Sequence, residues 1–384
     1  ILSTFTHQTR FLKGQISTWS SSGMTEYTGF EGVPMSQDYK NQVHAIDLSY
    51  ETNKGFQVLA NLGYSKDFIV QKQENFLGLR DLINTDRNSI EIMIHKPKLD
   101  SHSFVLGYNL EEEDVDYSSF GTKFKKSLST NSMFLSSQFQ IKDDLVGINF
   151  RSSYHELYGN KLSWNLGFLK EINDFWSLVV NSGESFRSPN SSELFGYGSN
   201  LKLQPETSMS YELNTIRRVN KNNLLSIVLF KNKTRNLINF DFQDYILKNI
   251  EQGKTRGTEL RYKWSNKSLQ LNVLLRNQDP KDQDGNLLLR RSKRSISLNL
   301  NKNYPAANFN VNLSAFSRRQ DFGDQILPGY SLFNLAIMKE ISDELVISIK
   351  LENLFDKEYF TAASPDGYYL NQRRSIWFTT NYTL

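Results

Sequence analysis

Cysteine is absent from the 384 residues. That removes a disulfide framework, a thiol nucleophile and any thiolate metal site. Histidine is scarce as well: His7, His44, His95, His102 and His155 are scattered and form no metal-ligand spacing. No stretch approaches the roughly eighteen apolar residues of a transmembrane helix, which excludes a helical membrane protein. A Gly-x-Ser-x-Gly elbow and a P-loop are also missing, so nothing speaks for nucleophilic catalysis or nucleotide hydrolysis. Neither sign of charge dominates. The 45 Lys and Arg against 41 Asp and Glu leave +4, dispersed along the chain, whereas a nucleic-acid binder concentrates its basic residues. No repeat of propeller length is visible.

What is present is alternation. In the last fourteen residues Ile376, Phe378, Tyr382 and Leu384 share one parity, with Trp377, Thr379, Asn381 and Thr383 between them. The same pattern recurs in Ile46/Leu48/Tyr50, Phe56/Val58/Ala60/Leu62/Tyr64, Phe104/Leu106/Tyr108/Leu110, Leu269/Leu271/Val273/Leu275, Ile296/Leu298/Leu300 and Leu345/Ile347/Ile349/Leu351. A mean hydropathy of −0.51 would suit a soluble protein. Barrels hide in such averages, because only every second residue of each crossing touches lipid. Aromatic residues make up 13 %, enough to supply interfacial girdles. The expectation is an all-β, transmembrane, antiparallel up-and-down β-barrel of the bacterial outer membrane, with about eighteen strands visible.

Connections alternate in length. Short links are expected at 52–55, 142–144, 219–223, 265–267 and 341–343, where Asn, Asp, Lys and Gly suit tight turns. Long links are expected at 20–42, 65–87, 112–129, 185–207, 279–292, 318–329 and 355–372. In outer-membrane barrels short turns face the periplasm and long loops the outside, so the long links would form a vestibule. A soluble sandwich or propeller also has alternating strands, but neither requires alternating link lengths.

Three motifs carry a family resemblance. The run ESFRSPNSSELFGYGSNLKLQPETSMSYEL spans Glu184 to Leu213, LENLFDKEYF spans Leu351 to Phe360, and a Gly-x-Glu lies at Gly257 to Glu259. Their types and order resemble those of TonB-dependent outer-membrane receptors. The resemblance implies about 22 strands around a plugged lumen. Residues 1–384 would then be the C-terminal majority of the barrel, with the plug and the TonB-engaging segment upstream. It also implies uptake of a scarce, bulky ligand with no covalent chemistry, and contact with the TonB complex, outer-membrane lipid and lipopolysaccharide. SPNSSELFGYGSNLKLQPE, NIEQGKTRGTEL, DGNLLLRRSK and TEYTGFEG are most similar to the cobalamin-receptor branch. That favours cobalamin or a related corrinoid as ligand, with a ferric siderophore or haem as the alternative. A passive porin and a membrane-embedded hydrolase are further classes; neither would be expected to carry these ordered motifs.

Arg290, by the resemblance, matches a corrin-contacting arginine, and its forked guanidinium suits amide and phosphate oxygens. The plainer reading is a rim cation pairing with lipopolysaccharide phosphate or a neighbouring carboxylate. Arg291 is its neighbour. Phe322 stands about where the family has a ligand-stacking tyrosine, or serves as an aromatic girdle residue. Tyr27, within TEYTGFEG, is the fourth candidate contact. Phe186, Arg187, Pro189, Asn190, Asn353, Phe355 and Asp356 read as scaffold: pairing, turning and capping residues. Asp279, Asp282 and Asp284 before Gly285 do not complete an EF-hand loop. Glu26, Glu31 and Asp38 are few for the outer-loop calcium that the resemblance implies. The acidic run Glu111 to Asp114 is either a cation site or a solvated face.

Overall fold

The computed structural model describes residues 2–28, 33–73, 80–99, 101–241, 244–321, 325–364 and 367–382. Two compact units partition the chain: residues 1–168, 182–209 and 234–251 form the first, and 169–181, 210–233 and 252–384 the second. The first begins with β1 (Leu2–Gln8), β2 (Leu12–Thr28), β3 (Pro34–Glu51), β4 (Gln57–Gln73), β5 (Arg80–Leu99), β6 (His102–Ser119), β7 (Thr122–Ile141) and β8 (Asp144–His155). Each pairs antiparallel with the next. Then come β9 (Gly159–Asn173), β10 (Trp176–Arg187), the short helix α1 (Ser191–Phe195), β11 (Glu206–Asn220), β12 (Asn223–Asp241) and β13 (Ile246–Ser265); these five strands contribute residues to both units.

The second unit continues with β14 (Leu269–Asp282), β15 (Arg294–Asn303), β16 (Asn308–Phe316), β17 (Arg319–Gln320), β18 (Ile326–Leu327), β19 (Tyr330–Glu340), β20 (Leu345–Glu352), β21 (Phe360–Ser364), β22 (Gly367–Leu370) and β23 (Ser375–Tyr382). Its antiparallel ladder runs β13, β14, β15, β16, β19, β20, β23. β17/β18 and β21/β22 are two small hairpins on the connections. Among the described residues, nineteen strands belong to the main sheet, against about eighteen expected from alternation.

Register converts the alternation into faces. In the first unit Ile16, Ile46, Leu62, Ile90 and Leu110 line up across β2 to β6, and all five are exposed. One residue along, Asp47, Asn61, Glu91 and Asn109 form the opposite row, with Asn61 Nδ2 donating to Asp47 Oδ1 at 2.6 Å. In the second unit Leu271, Leu300, Val311, Leu335, Leu351 and Ile376 cross six strands in register. On its other face runs the ladder Asn272, Asn299, Asn312, Asn334. Apolar residues outside and amides inside are the reverse of a soluble sheet, and fit strands whose outer face meets lipid.

Three links differ from expectation. The described residues of the segments 20–42, 65–87 and 112–129 are almost entirely strand rather than loop. Pairing continues to Thr28↔Pro34, to Lys72↔Arg80 and to Ser119↔Thr122. The last hairpin closes through Phe120 and Gly121 alone, both at positive φ (46° and 80°), as the mirror-image turns of tight hairpins require. Strands β2 to β7 are 17 to 20 residues long, whereas a crossing needs roughly 9–11. The excess projects beyond the lipid, where the exposed apolar row no longer has lipid to meet and therefore ends. Charge pairs replace it: Lys72 with Asp38 at 2.7 Å, Lys125 with Asp116 at 2.8 Å, and Arg87 with Glu111 at 3.0 Å and with Glu113. A small apolar core, Val70, Val115, Tyr117, Leu128, Leu194 and Leu203, is buried within this unit. At the opposite end of the strands the tight turns fall where the sequence puts them. Thr52 O accepts from Gly55 N at 2.9 Å, and Asn266 Oδ1 accepts from Leu269 N at 2.8 Å.

Candidate functional site

The motif at Glu184 to Leu213 builds a scaffold within the first unit. Asn190 caps α1: its Oδ1 accepts from Glu193 N at 2.8 Å while Glu193 Oε2 accepts from Asn190 N at 2.8 Å, a reciprocal capping box. Arg187 spans two acids, with Nε to Glu206 at 2.7 Å and Nη1 to Glu193 at 2.8 Å. Glu206 Oε1 also accepts from Ile238 N at 2.7 Å. Asn249 Nδ2 donates to Gln204 O at 3.0 Å and Asn236 O at 2.6 Å. The pairing role expected for Arg187 is what the geometry gives, Asn190 adds a helix cap, and Pro189 is fully buried beside them.

Asn353 plays the same part in the second unit. It is 5 % exposed at φ +48°, and its Oδ1 accepts from Lys357 N while its Nδ2 donates to Lys357 O, both at 2.8 Å. Asn334 of the amide ladder accepts from its backbone N–H at 2.9 Å. Asp356 receives Arg373 Nη2 at 2.9 Å and the Arg374 amide at 2.9 Å, and these bonds hold its carboxyl down at about 2. Gly257 has no alternative: a Cβ there would stand 2.5 Å from Asn277 O and 2.7 Å from Phe230. Glu259, 4 % exposed, receives Arg261 Nε at 2.9 Å and Arg276 Nε at 2.7 Å. All three family motifs are therefore devices that fix strands and connections.

Arg290 sits at the centre of a second knot. The link after β14 opens with an Asx turn, in which Asp282 Oδ1 accepts from Asp284 N at 3.0 Å and Asn286 N at 2.8 Å, with Gly285 at φ +85°. At Arg290 the backbone turns left-handed (φ +60°) and its N–H donates to Gln320 O at 2.7 Å. Its Nε donates to both oxygens of Asp321, at 2.9 and 3.1 Å. The Asp321 side chain is 0 % exposed, while that of Arg290 is 43 % exposed. Asp321 Oδ2 also accepts from Ala363 N at 2.6 Å. One ion pair thus ties the β14–β15, β16–β19 and β20–β23 connections together, and Arg290 Nη2 adds a bond to Ala363 O at 3.5 Å. A carboxylate buried this deeply requires such partners.

The remaining candidates are separate from this knot or only adjacent to it. Arg291 follows Arg290 and is exposed. Phe322 lies outside the described residues. Tyr27 belongs to the first unit, opposite Met35 on β2/β3 and 37 % exposed; burial, then the charge of Asp81, raises its phenol pKa. Of the calcium candidates, Asp38 is occupied by Lys72, Glu26 sits opposite Ser36, and Glu31 lies outside the described residues. Glu111 to Asp114 lie within β6 rather than at a strand end, with Arg87 on Glu111 and Glu113. Sequence reasoning missed Asp321, which has no local signature. It also missed a pocket of ≈ 440 Å³ in the first unit, lined among others by Lys66, Arg87, Glu113, Asn190 and Ser191. That pocket gathers residues of distant segments, which no local pattern could join.

Comparison with known proteins places this architecture. The vitamin B12 transporter BtuB of Vibrio vulnificus is 23 % identical over 378 residues, covering 92 % of this chain and 61 % of the relative. BtuB of Photobacterium profundum is 26 % identical over 372 residues, covering 90 % and 59 %. The chain therefore spans about three fifths of the curated relatives it matches. In fold it is similar to a point mutant of the ferric enterobactin receptor PfeA from Pseudomonas aeruginosa in complex with enterobactin: TM-score 0.80, 14 % identity, 99 % of this chain and 69 % of that one. The family model described as TonB dependent receptor-like, beta-barrel, matches residues 4–354. With its antiparallel strands, apolar outer rows and motif-built connections, the chain belongs to this family of outer-membrane β-barrels.

Proposed function

We propose that the chain is the ligand-gathering barrel of a receptor that takes up cobalamin or a related corrinoid with energy from the TonB complex. The observation that carries this reading is the Arg290 knot. It lies at the end of the DGNLLLRRSK segment, and it holds a half-exposed guanidinium fixed by a buried carboxylate. A donor held in this way loses little rotamer entropy on binding, and its planar fork suits the amide and phosphate oxygens of a corrinoid side chain. Relatedness to proteins named vitamin B12 transporters over nine tenths of the chain supports the same ligand class. The solved siderophore receptor, at 14 % identity, speaks for the fold and not for the ligand.

In this reading the long-connection end faces outward. The plug and the TonB-engaging segment are supplied from upstream of these residues, and transport proceeds without covalent chemistry in the barrel. The test is direct titration of the full-length receptor with cyanocobalamin, a ferric catecholate siderophore and haem. Saturable binding of cyanocobalamin alone is the expected result. Saturable binding of the siderophore or haem, with none of the corrinoid, would replace the ligand assignment while leaving the family intact.

A further inference from the structure

The second unit holds a pocket of ≈ 550 Å³ whose wall includes Arg291, Lys293, Arg294, Arg318 and Arg319. Among the described residues, no carboxylate pairs with any of these five cations. Arg319 is 8 % exposed; its Nη2 donates to Phe360 O at 2.7 Å, and its guanidinium lies 5.0 Å from the centroid of the Tyr330 ring. Its buried Nε has no partner. One carbonyl and one ring face fall short of what a buried charge needs, which is an opposite charge or a full set of acceptors. An anion in the pocket that Arg319 lines would supply that countercharge.

Register puts most of this charge on the amide face. Gln278 N donates to Lys293 O at 2.8 Å, one step beyond the Asn277↔Arg294 pair, so Lys293 keeps the parity of Ser295, Ser297 and Asn299. Ser317 N donates to Arg294 O at 2.9 Å, which carries the β15/β16 register one step past Ser295↔Phe316. Arg318 then follows the parity of Phe316, Ser314 and Asn312. Tyr330, against which Arg319 lies, shares its parity with Asn334. Lys293, Arg318 and Arg319 thus extend the face that carries the amide ladder and turn away from the exposed aliphatic rows, toward water rather than lipid. Arg290 stands apart from them, with its Nε held by Asp321.

The arrangement of donors discriminates among anions. Arg291 and Lys293 come from the β14–β15 link, Arg294 from the start of β15, Arg318 from the β16–β19 connection and Arg319 from β17. A tetrahedral phosphate presents oxygens to donors from several directions, whereas a planar carboxylate accepts within one plane. A phosphomonoester carries about −1.5 to −2 at neutral pH, more than a diester, and suits a wall of cations without carboxylate partners. Leu287 in the same wall, with Ile326 at 53 % exposure, suits a small apolar group on the ester oxygen. We infer that the pocket binds a small soluble phosphomonoester, with Lys293 and Arg318 as its principal contacts and Arg319 as the buried countercharge.

The experiment titrates the full-length receptor, extracted in mild detergent, with phenyl phosphate, with its methyl ester (a singly charged diester) and with benzoate, and reads binding by isothermal calorimetry. Phenyl phosphate should bind saturably, and about tenfold or more tightly than the diester or benzoate. Lys293→Gln combined with Arg318→Gln should weaken it about tenfold or more. Lys293→Arg with Arg318→Lys, which keeps both charges, should retain most of the affinity, and heat-modifiable migration confirms that each variant is folded. The inference is overturned by an absence of saturable phenyl phosphate binding, by equal affinity for the diester or benzoate, or by unchanged affinity in the Gln variant. A charge-keeping variant that binds no better than the Gln variant would overturn it as well. The titrations use no corrinoid, so their outcome is independent of the ligand proposed above.

Discussion

Replacing Arg290 with Ala strips a fully buried carboxylate of its cation. Removing one partner of a buried ion pair costs about 3–5 kcal/mol; the arginine side chain is 43 % exposed, so water offsets part of that, and about 2–3 kcal/mol is the appropriate scale here. The loss is local. It acts on the three connections that meet at Asp321, while the ladder of β14, β15, β16, β19, β20 and β23 keeps its register. The Ala363 amide, which donates to Asp321 Oδ2 at 2.6 Å, is the natural reporter. In hydrogen exchange on the full-length receptor its protection should fall about 30- to 150-fold, at about 1.4 kcal/mol per factor of ten. Asp321→Asn combined with Arg290→Ala removes both charges while keeping an oxygen that can accept from Ala363, and should recover part of the loss, because no buried charge remains. Unchanged protection of Ala363 in the single variant would refute the reasoning. So would a double variant whose loss equals the sum of the two singles. The same result bears on ligand binding: weaker corrinoid binding by Arg290→Ala would combine a lost contact with a loosened rim, and the exchange data separate the two.

Phe378 is 67 % exposed opposite Ile349, and Tyr382 is 62 % exposed at the end of β23 opposite Leu345. Phe378→Arg should cost about 2–4 kcal/mol and Tyr382→Arg about 0–1 kcal/mol, as depth dictates; equal yields of folded, heat-modifiable receptor would contradict the lipid-facing assignment. The Asp356 carboxyl is depressed from 3.8 to about 2, first by Arg373 and then by the Arg374 amide, so its contribution is fully present above about pH 4 and is lost as pH falls toward 2. Pepsin should therefore nick the connection around Asp356 increasingly between pH 4 and 2, and Asp356→Asn should remove that dependence; equal cleavage across the range would disprove the coupling. An epitope inserted at Gly285 should be reached by antibody on intact cells, and one at Asn222 should not; the reverse would overturn the orientation.

Alternation made the lipid-facing rows legible, since Ile46, Leu48 and Tyr50 repeat at the strand period and a one-residue slip would invert them. It failed above the membrane. Around Glu112 to Ser129 the apolar residues change parity, from Leu106, Tyr108 and Leu110 to the buried Val115 and Tyr117, so a 20-residue strand such as β7 looks like a loop once the lipid-facing row ends. The tight turns were readable because Asn, Asp and Gly act locally. The site was readable only in part. Arg290 stood out by resemblance, but its partner Asp321 is 31 residues away and next to Phe322, whose aromatic ring drew attention instead. Arg291, Lys293 and Arg294 lie far along the chain from Arg318 and Arg319, and pairing between β15 and β16 is what brings them to one wall.

The extended hairpins restrict how the outer surface of this receptor can change over time. In a flexible loop any number of residues can be gained or lost, but β6 and β7 stay in register up to a two-residue turn. A single insertion there would exchange the faces of every residue beyond it and set Asp116 and Lys125 on the wrong partners. Changes that add or remove one residue on each strand, opposite one another, lengthen or shorten the hairpin without disturbing its pairing. The towers of the first unit should therefore vary among relatives in matched steps, while insertions of arbitrary length collect in the links carrying α1, β17/β18 and β21/β22. Pressure from antibodies or phages that grip the outer surface would thus be answered by swapping side chains on a fixed frame more readily than by remodelling the frame.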